Sequence, residues 1–352
     1  MNKGMVEIDG SLVEKLGKVY GLNVRDVKPI ERGEVNRNFE VYTCDDRFFL
    51  REYGDGIIRN EEDLIFEHRV LNHLTCSGFS RLARPISVKN LNLEGTRFPC
   101  STIVSIDGRY YALFEFIDGR DAGHRDLEEA AWTLGCFHNT IENFGHSWRS
   151  FFIENLWERE LAQHELRLAC SEKRDFFIEV LAELLPRVEH YLHRFNARIR
   201  ELDSRLKKLT CHNDYHLGNV RMNSGRAYIT DFEGVACNYR AYEVAFAVVA
   251  FCTQEDPGDL REEKGFWAQA GRFFKSYINA SDLHTVEIEL MPSMITATYI
   301  KLIPRIIRHH FEGTHETDKR IRDETLITIA NSFDWCEEYS SRIIADLRAM
   351  NR

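Results

Sequence analysis

LTCHNDYHLGNV, residues 209–220, is followed a few positions later by AYITDFEG, residues 227–234. Inside the first stretch His212, Asp214 and Asn219 read H-x-D-x-x-x-x-N, and twelve positions after Asn219 stands Asp231, which opens D-F-E. RAYITD is an alternating apolar run that ends on an acidic residue, the pattern of a strand that delivers Asp231 at its tip. Asn223, Ser224 and Gly225 supply a turn just before it. The two halves of the motif then flank a short hairpin, with three functional side chains converging at one edge. A polar loop and a capped strand would account for a lone H-x-D; the full set, in this order and spacing, asks for chemistry.

Phosphoryl transfer from a nucleotide needs a carboxylate to orient and deprotonate the attacking hydroxyl, and two oxygen ligands to hold Mg2+ against the triphosphate. Asp214 suits the first task, and Asn219 and Asp231 the second. Kinase catalytic loops place their Asp and Asn at this five-residue interval, and their second metal-binding Asp begins D-F-G. The run here resembles the aminoglycoside phosphotransferase and choline kinase family, the small-molecule branch of the protein-kinase-like fold. In that family H-x-D-x-x-x-x-N is followed by D-F-E or D-W-E, and Glu233 points to this branch. The resemblance implies an α+β, bilobal fold: residues 1–118 as an antiparallel sheet with one helix, and residues 119–352 as a larger helical lobe. It also implies ATP in the cleft, Mg2+ on Asn219 and Asp231, and in-line transfer of the γ-phosphoryl group to an alcohol that Asp214 orients. His212 braces the catalytic loop by hydrogen bonds in this reading.

The first part of the chain is expected to carry the nucleotide. Residues 11–20 read as an amphipathic helix stopped at Gly21, followed by strand-like runs over residues 27–31, 38–43 and 47–52. A loop that covers phosphates needs backbone flexibility and free amides. In residues 31–38, ERGEVNRN, Gly33 supplies the flexibility and Asn36 a side-chain donor; this is not G-x-G-x-x-G, and an ordinary hairpin turn is the other reading. RFFLREY places Arg51 where protein kinases use Lys to grip the α- and β-phosphates. Arg is a planar fork, so the grip can be bidentate; a surface-strand Arg is the alternative. Residues 59–74 have a helical period in which Leu64, Val70, Leu71 and Leu74 form one stripe, and Glu67 falls within it. A carboxylate on an apolar face needs a partner, and Arg51 is the expected one; a Glu at the solvent rim is the alternative. A strand is expected near residues 86–88, then a hairpin about Asp107 and Gly108. FIDG, residues 116–119, looks like the hinge, and by resemblance the backbone of Glu115 and Ile117 reads adenine.

The remainder is helical in pattern. Asp126 and Glu129 read as a capping box, ahead of a core stripe of Leu127, Ala130, Ala131, Leu134, Phe137 and Ile141. His138 lies near that stripe and reads as a packed structural His; Trp148 and Trp157 read as core. Residues 240–252 read as a buried helix. Family members usually carry Asp before a Leu-Ala there, whereas this chain has Glu243, which leaves that anchoring role open. Arg305, Arg308, His309 and His310 read as a solvated helix face, because adjacent His side chains point to different sides; a role for Arg305 or Arg308 in holding a substrate acid is the other reading.

Composition bounds the partners. The chain has 352 residues, 43% hydrophobic and 29% charged, with a formal net charge of −10. The acidic balance argues against nucleic acid, which requires a basic surface. Nine cysteines without a C-x-x-C point to reduced thiols in the cytoplasm. There is no apolar signal region at the N-terminus and no run approaching the roughly 20 apolar residues of a membrane span. The expected acceptor is a small hydroxylated molecule of the aminoglycoside, amino-alcohol or homoserine type. The alternatives are a sugar of the N-acetylhexosamine or methylthioribose type, and a catalytically silent binding protein of the same fold. The absence of A-P-E after Asp231 argues against a protein kinase.

Overall fold

Helix α1 (Gly10–Tyr20) opens the described chain and ends where Gly21 adopts φ 63°, a left-handed turn that glycine makes without steric cost. The computed structural model describes residues 10–30, 36–54, 60–90, 96–145, 175–252, 263–312 and 316–352. Gly33, Trp148 and Trp157, and the side chains of Arg305, Arg308 and His309, lie outside the described residues. The chain divides into two compact units, Met1–Arg120 with Tyr228–Glu233, and Asp121–Ala227 with Gly234–Arg352.

In the first unit, β1 (Asp26–Ile30), β2 (Arg37–Tyr42), β3 (Arg47–Tyr53), β4 (Thr96–Cys100), β5 (Ile103–Ile106) and β6 (Arg109–Glu115) form one antiparallel sheet in the order β1-β2-β3-β6-β5-β4. The β5–β6 hairpin turns at Asp107 (φ 51°) and Gly108 (φ 79°), the pair of positive angles that a tight two-residue hairpin demands. Successive side chains of a strand alternate between faces. Leu50 therefore packs with Phe39, Val41, Val104 and Leu113 beneath Leu16, Val19 and Tyr20 of α1. Arg51, its neighbour, faces the other way, toward helix α2 (Glu61–Cys76). Each fully buried apolar side chain in such a cluster contributes roughly 1.5–3 kcal/mol.

Asn60 starts α2 with a capping box: its Oδ1 accepts from the Asp63 amide at 2.9 Å, and Asp63 accepts from the Asn60 amide at 3.2 Å. The strand expected near residues 86–88 is not formed. That stretch runs extended, with the Ile86 amide donating to Leu113 and the Val88 amide to Ser101, and it completes no ladder because its successive bonds go to different partners.

The second unit is mainly helical. Its elements begin with the short strand β7 (Arg120–Asp121), shared at the boundary, and helix α3 (Leu127–Ile141). There follow α4 (Phe176–Leu202), β8 (Lys208–Cys211), β9 (Val220–Asn223), β10 (Arg226–Ile229), whose last two residues belong to the first unit, and β11 (Ala236–Tyr239). Helices α5 (Arg240–Cys252), α6 (Glu263–Ala280), α7 (Thr285–Ile300), α8 (Ile303–Glu312) and α9 (Glu316–Met350) complete it. The apolar stripe of α3 is buried throughout.

Its expected Asp126–Glu129 capping box is replaced by a different arrangement. Asp126 accepts from the amide of Gly123, three residues earlier, and so caps a short 3-10 turn. Glu129 accepts from the Ala227 amide at 3.3 Å. Arg240 and Glu287, both fully buried, form a two-pronged ion pair that joins the start of α5 to the first turn of α7.

Helices α3 and α6 meet at Gly135, where a Cβ would lie 2.7 Å from Ala280 Cβ and 3.0 Å from the Tyr277 carbonyl oxygen. Helix propensity favours Ala over Gly by about 1 kcal/mol, but the atoms met belong to backbone and to a Cβ, which have no rotamer to yield. Gly135→Ala is expected to destabilise the protein by about 1–3 kcal/mol, read as a lower denaturation midpoint in urea.

Candidate active site

Strand β8 pairs antiparallel with β11, Cys211 opposite Ala236. The chain leaves β8 through the buried His212 and bends at Asn213, whose φ of 63° lies in the left-handed region that Asn tolerates better than most residues. The Asn213 side-chain amide donates to the carbonyls of Gly234 (2.9 Å), Cys211 (3.2 Å) and Ala236 (3.2 Å), while its Oδ1 accepts from Asn238 Nδ2 (2.7 Å). Its backbone N–H donates to Glu243 Oε1 at 2.5 Å. Gly234 lies directly against the loop: a Cβ there would sit 2.8 Å from the His212 carbonyl oxygen. The residue before Asp214 is thus held at its backbone and along its side chain.

Asp214 and Asn219 are brought together. Asn219 Nδ2 donates to Asp214 Oδ2 and to the Asp214 carbonyl, both at 2.9 Å. With its nitrogen committed, Asn219 has Oδ1 as its oxygen donor for a metal. His216 Nε2 lies 3.4 Å from Asp214 Oδ2. Burial pushes the Asp214 carboxyl up, but the His216 contact and the nearby His212 and Lys301 outweigh it and hold the group below its ordinary range. Asp214 is therefore ionised at neutral pH.

Beneath the loop runs a buried chain of polar groups. Glu243 Oε2 meets His138 Nε2 at 2.7 Å, and His138 Nδ1 meets the Tyr277 hydroxyl at 2.7 Å. Burial holds the His138 imidazole below its usual range, so it is neutral and has one N–H. Burial alone would raise the Glu243 carboxyl; the bonds from His138 and from the Asn213 amide bring it below its ordinary value. An ionised Glu243 can only accept, so His138 donates from Nε2 and accepts the Tyr277 hydroxyl at Nδ1. The ligand-capable atoms of His138, Cys211 and Glu243 lie within 4.8 Å of one another. Burial keeps the Cys211 thiol protonated and both His138 nitrogens are engaged, so this is a packed network and not a cation site.

In the first unit, the Ile229 amide donates to Arg81 and Leu82 bridges Ile229, which fixes the segment that ends at Asp231. Asp231 has φ 61°. Arg51 Nη1 lies 3.0 Å from Asp231 Oδ1, 3.2 Å from Glu233 Oε1 and 4.0 Å from Glu67 Oε1. The expected Arg51–Glu67 contact is thus the longest of three, and the two D-F-E carboxylates are nearer. Glu67 also receives the Tyr53 hydroxyl at 3.4 Å. Burial disfavours the guanidinium charge, but Asp231, then Glu67 and Glu233, more than restore it, and Arg51 stays charged. Its Nε is buried with no hydrogen-bond partner among the described residues, the kind of donor a phosphate oxygen would satisfy. Asn36 Oδ1 accepts from the Gly54 amide at 3.1 Å, so its Nδ2 is the donor it could turn to a ligand. The Glu115 amide donates to the Arg84 carbonyl at 2.9 Å, which leaves its carbonyl as the group it could offer a base. Ile117 follows in the half-buried stretch after β6.

A Mg2+ ion takes oxygen ligands, and the Asn219 Oδ1 and the Asp231 carboxylate have that chemistry. His216, Glu243, Tyr277 and Lys301 carry parts of this geometry that the sequence reading left out or left open. For His138 the signal was present, because a His on an apolar stripe needs buried partners. For Tyr277 there was none, since its partner is 139 positions away.

A sheet unit carrying Arg51 and D-F-E, with a mainly helical unit carrying H-x-D-x-x-x-x-N, defines a protein-kinase-like fold. The chain belongs to the phosphotransferase enzyme family, whose profile matches residues 26–274. Solved structures share the fold at low identity. An amicoumacin kinase in complex with AMP-PNP and Ca2+ is 14% identical, with 91% of this chain and 93% of that one covered and a TM-score of 0.61. A choline kinase from Cryptosporidium parvum is 15% identical, with coverages of 99% and 95% and a TM-score of 0.61. A spectinomycin phosphotransferase in complex with ADP and spectinomycin is 12% identical, with coverages of 93% and 99% and a TM-score of 0.57. No curated protein sequence matches the chain.

The buried neutral His138 has a consequence for acid stability. Its folded-state pKa is lowered, so the unfolded chain binds the proton more readily, and stability is lost as pH falls below about 6.5. The depressed Glu243 carboxyl adds a loss of the same sign at lower pH, where the unfolded chain takes up that proton first. Urea midpoints measured between pH 7.5 and 5 are expected to fall, and to fall less steeply in His138→Gln.

Proposed function

We propose that the chain is an ATP-dependent kinase that transfers the γ-phosphoryl group to a hydroxyl of a small molecule, of the aminoglycoside, amino-alcohol or homoserine type. The observation that carries this reading is Asp214 next to the Asn213 bend that Glu243 holds, with Asn219 bonded to its carboxylate. Membership of the phosphotransferase enzyme family supports the same reaction class. The amicoumacin kinase and spectinomycin phosphotransferase structures, with AMP-PNP and ADP respectively, support an adenine nucleotide as donor.

The residues divide the work. Asp214 orients the acceptor hydroxyl and takes its proton as the oxygen attacks. Arg51 steadies the phosphates with a charge that burial does not remove. Asn36 adds a side-chain donor and Gly33 lends the covering loop its freedom. Glu115 and Ile117 present backbone groups to the base. His212 and Glu243 brace the loop. Asn219 and Asp231 supply oxygens to Mg2+, which neutralises phosphate charge when bound. Among the described residues no helix is long and apolar enough to cross a membrane. The described cysteines are all free thiols, which suits a cytoplasmic enzyme.

The test is ATP consumption by the purified protein with Mg2+, across a panel of amino alcohols, aminoglycosides, hydroxy amino acids and sugars. One acceptor class should stimulate turnover. Asp214→Ala is expected to lower that turnover by about 10²–10⁴-fold and to leave nucleotide affinity unchanged. Unchanged turnover in this variant would refute the assignment.

A further inference from the structure

We propose that His216 is a positioning residue for Asp214: it holds the carboxylate by Oδ2 and reserves Oδ1 as the atom that receives the acceptor's proton. This rests on the phosphotransferase reading above. His216 is the N-cap of the short 3-10 turn Leu217–Asn219, and its Nδ1 accepts the Gly218 amide at 3.1 Å. A ring nitrogen that accepts an N–H must carry a lone pair, so the proton of the neutral ring sits on Nε2. The backbone thereby sets the tautomer. Gly218 also permits the close approach: a Cβ there would lie 3.0 Å from His216 Cε1 and 3.2 Å from Nδ1.

Nε2 lies 3.4 Å from Asp214 Oδ2. That distance is long for a hydrogen bond, and such contacts commonly tighten when substrate binds. The same oxygen already receives Asn219 Nδ2 at 2.9 Å. One donor on Oδ2 from Asn219, with His216 Nε2 beside the same oxygen, fixes the rotation of the carboxylate and lowers the basicity of that oxygen. Oδ1 is then the oxygen placed to act. The acceptor O–H proton passes to Oδ1 as the acceptor oxygen bonds to the γ-phosphorus. The bond from that phosphorus to its bridging oxygen breaks, and the electron pair leaves with ADP.

Two variants separate the two nitrogens. His216→Asn retains a side-chain oxygen near the backbone that can accept the Gly218 amide, but it has no donor that reaches Asp214. His216→Gln places an amide N–H near the Nε2 position. With Mg2+–ATP and water as the acceptor, His216→Asn is expected to lower kcat on the order of ten-fold at unchanged ATP KM, the effect of losing one hydrogen bond to a charged group. His216→Gln should recover most of the loss. Independently of activity, the imidazole ¹⁵N shifts of His216, assigned by their loss in His216→Gln, should show the Nε2–H tautomer of the neutral ring. An Nδ1–H tautomer, wild-type kcat in His216→Asn, or equal losses in both variants would overturn the assignment. A wild-type protein that consumes no ATP with water or with any acceptor of the panel counts against the phosphotransferase reading; the tautomer measurement then decides the His216 assignment alone.

Discussion

The loop that carries Asp214 depends on one buried hydrogen bond, from the Asn213 amide to Glu243. A carboxylate out of water is costly unless its oxygens are satisfied. Glu243 meets that demand with a backbone amide on one oxygen and a neutral imidazole on the other. The requirement runs in both directions. The loop supplies a donor that the carboxylate needs, and the carboxylate holds the loop in a left-handed bend that its sequence favours only weakly. His138 and Tyr277 extend the arrangement into α3 and α6, so the position of the loop is backed by two helices. Where relatives of this family commonly place Asp, the longer Glu243 reaches both partners, and the anchoring role that the sequence left open is filled.

The first unit solves a related problem with the opposite sign of charge. Three carboxylates, Glu67, Asp231 and Glu233, surround the single guanidinium of Arg51. A planar fork can face several acceptors at once, which a point charge on a flexible stem does less well. The Nε of Arg51 is buried with no hydrogen-bond partner among the described residues.

Much of this was legible in the sequence because it is local. The interval from Asp214 to Asn219 is one turn of loop, and their bond is 2.9 Å. The alternation of β3 set Leu50 and Arg51 on opposite faces, and the period of α2 buried Glu67. What was missed is either long-range or a matter of which backbone group is free. Tyr277 reaches His138 across 139 positions, and no pattern along the chain announces it. Asp126 had the residue spacing of a capping box with Glu129, but Gly123 offered an amide one turn earlier and took the carboxylate. The extended stretch at residues 86–88 has strand-like composition, yet its amides go to two different partners.

Asn213 narrows the substitutions open to this family member. Glycine would accept the φ of 63° but would abandon the three carbonyls and the Asn238 amide that the side chain engages. Aspartate would keep an acceptor for Asn238 and set a second anion beside Glu243 and against three carbonyl oxygens. A β-branched residue would find the backbone angle itself closed to it. At this one position the loop's shape and its bonding are specified by a single side chain, so change must pass through Asn238, Gly234 or Glu243 first.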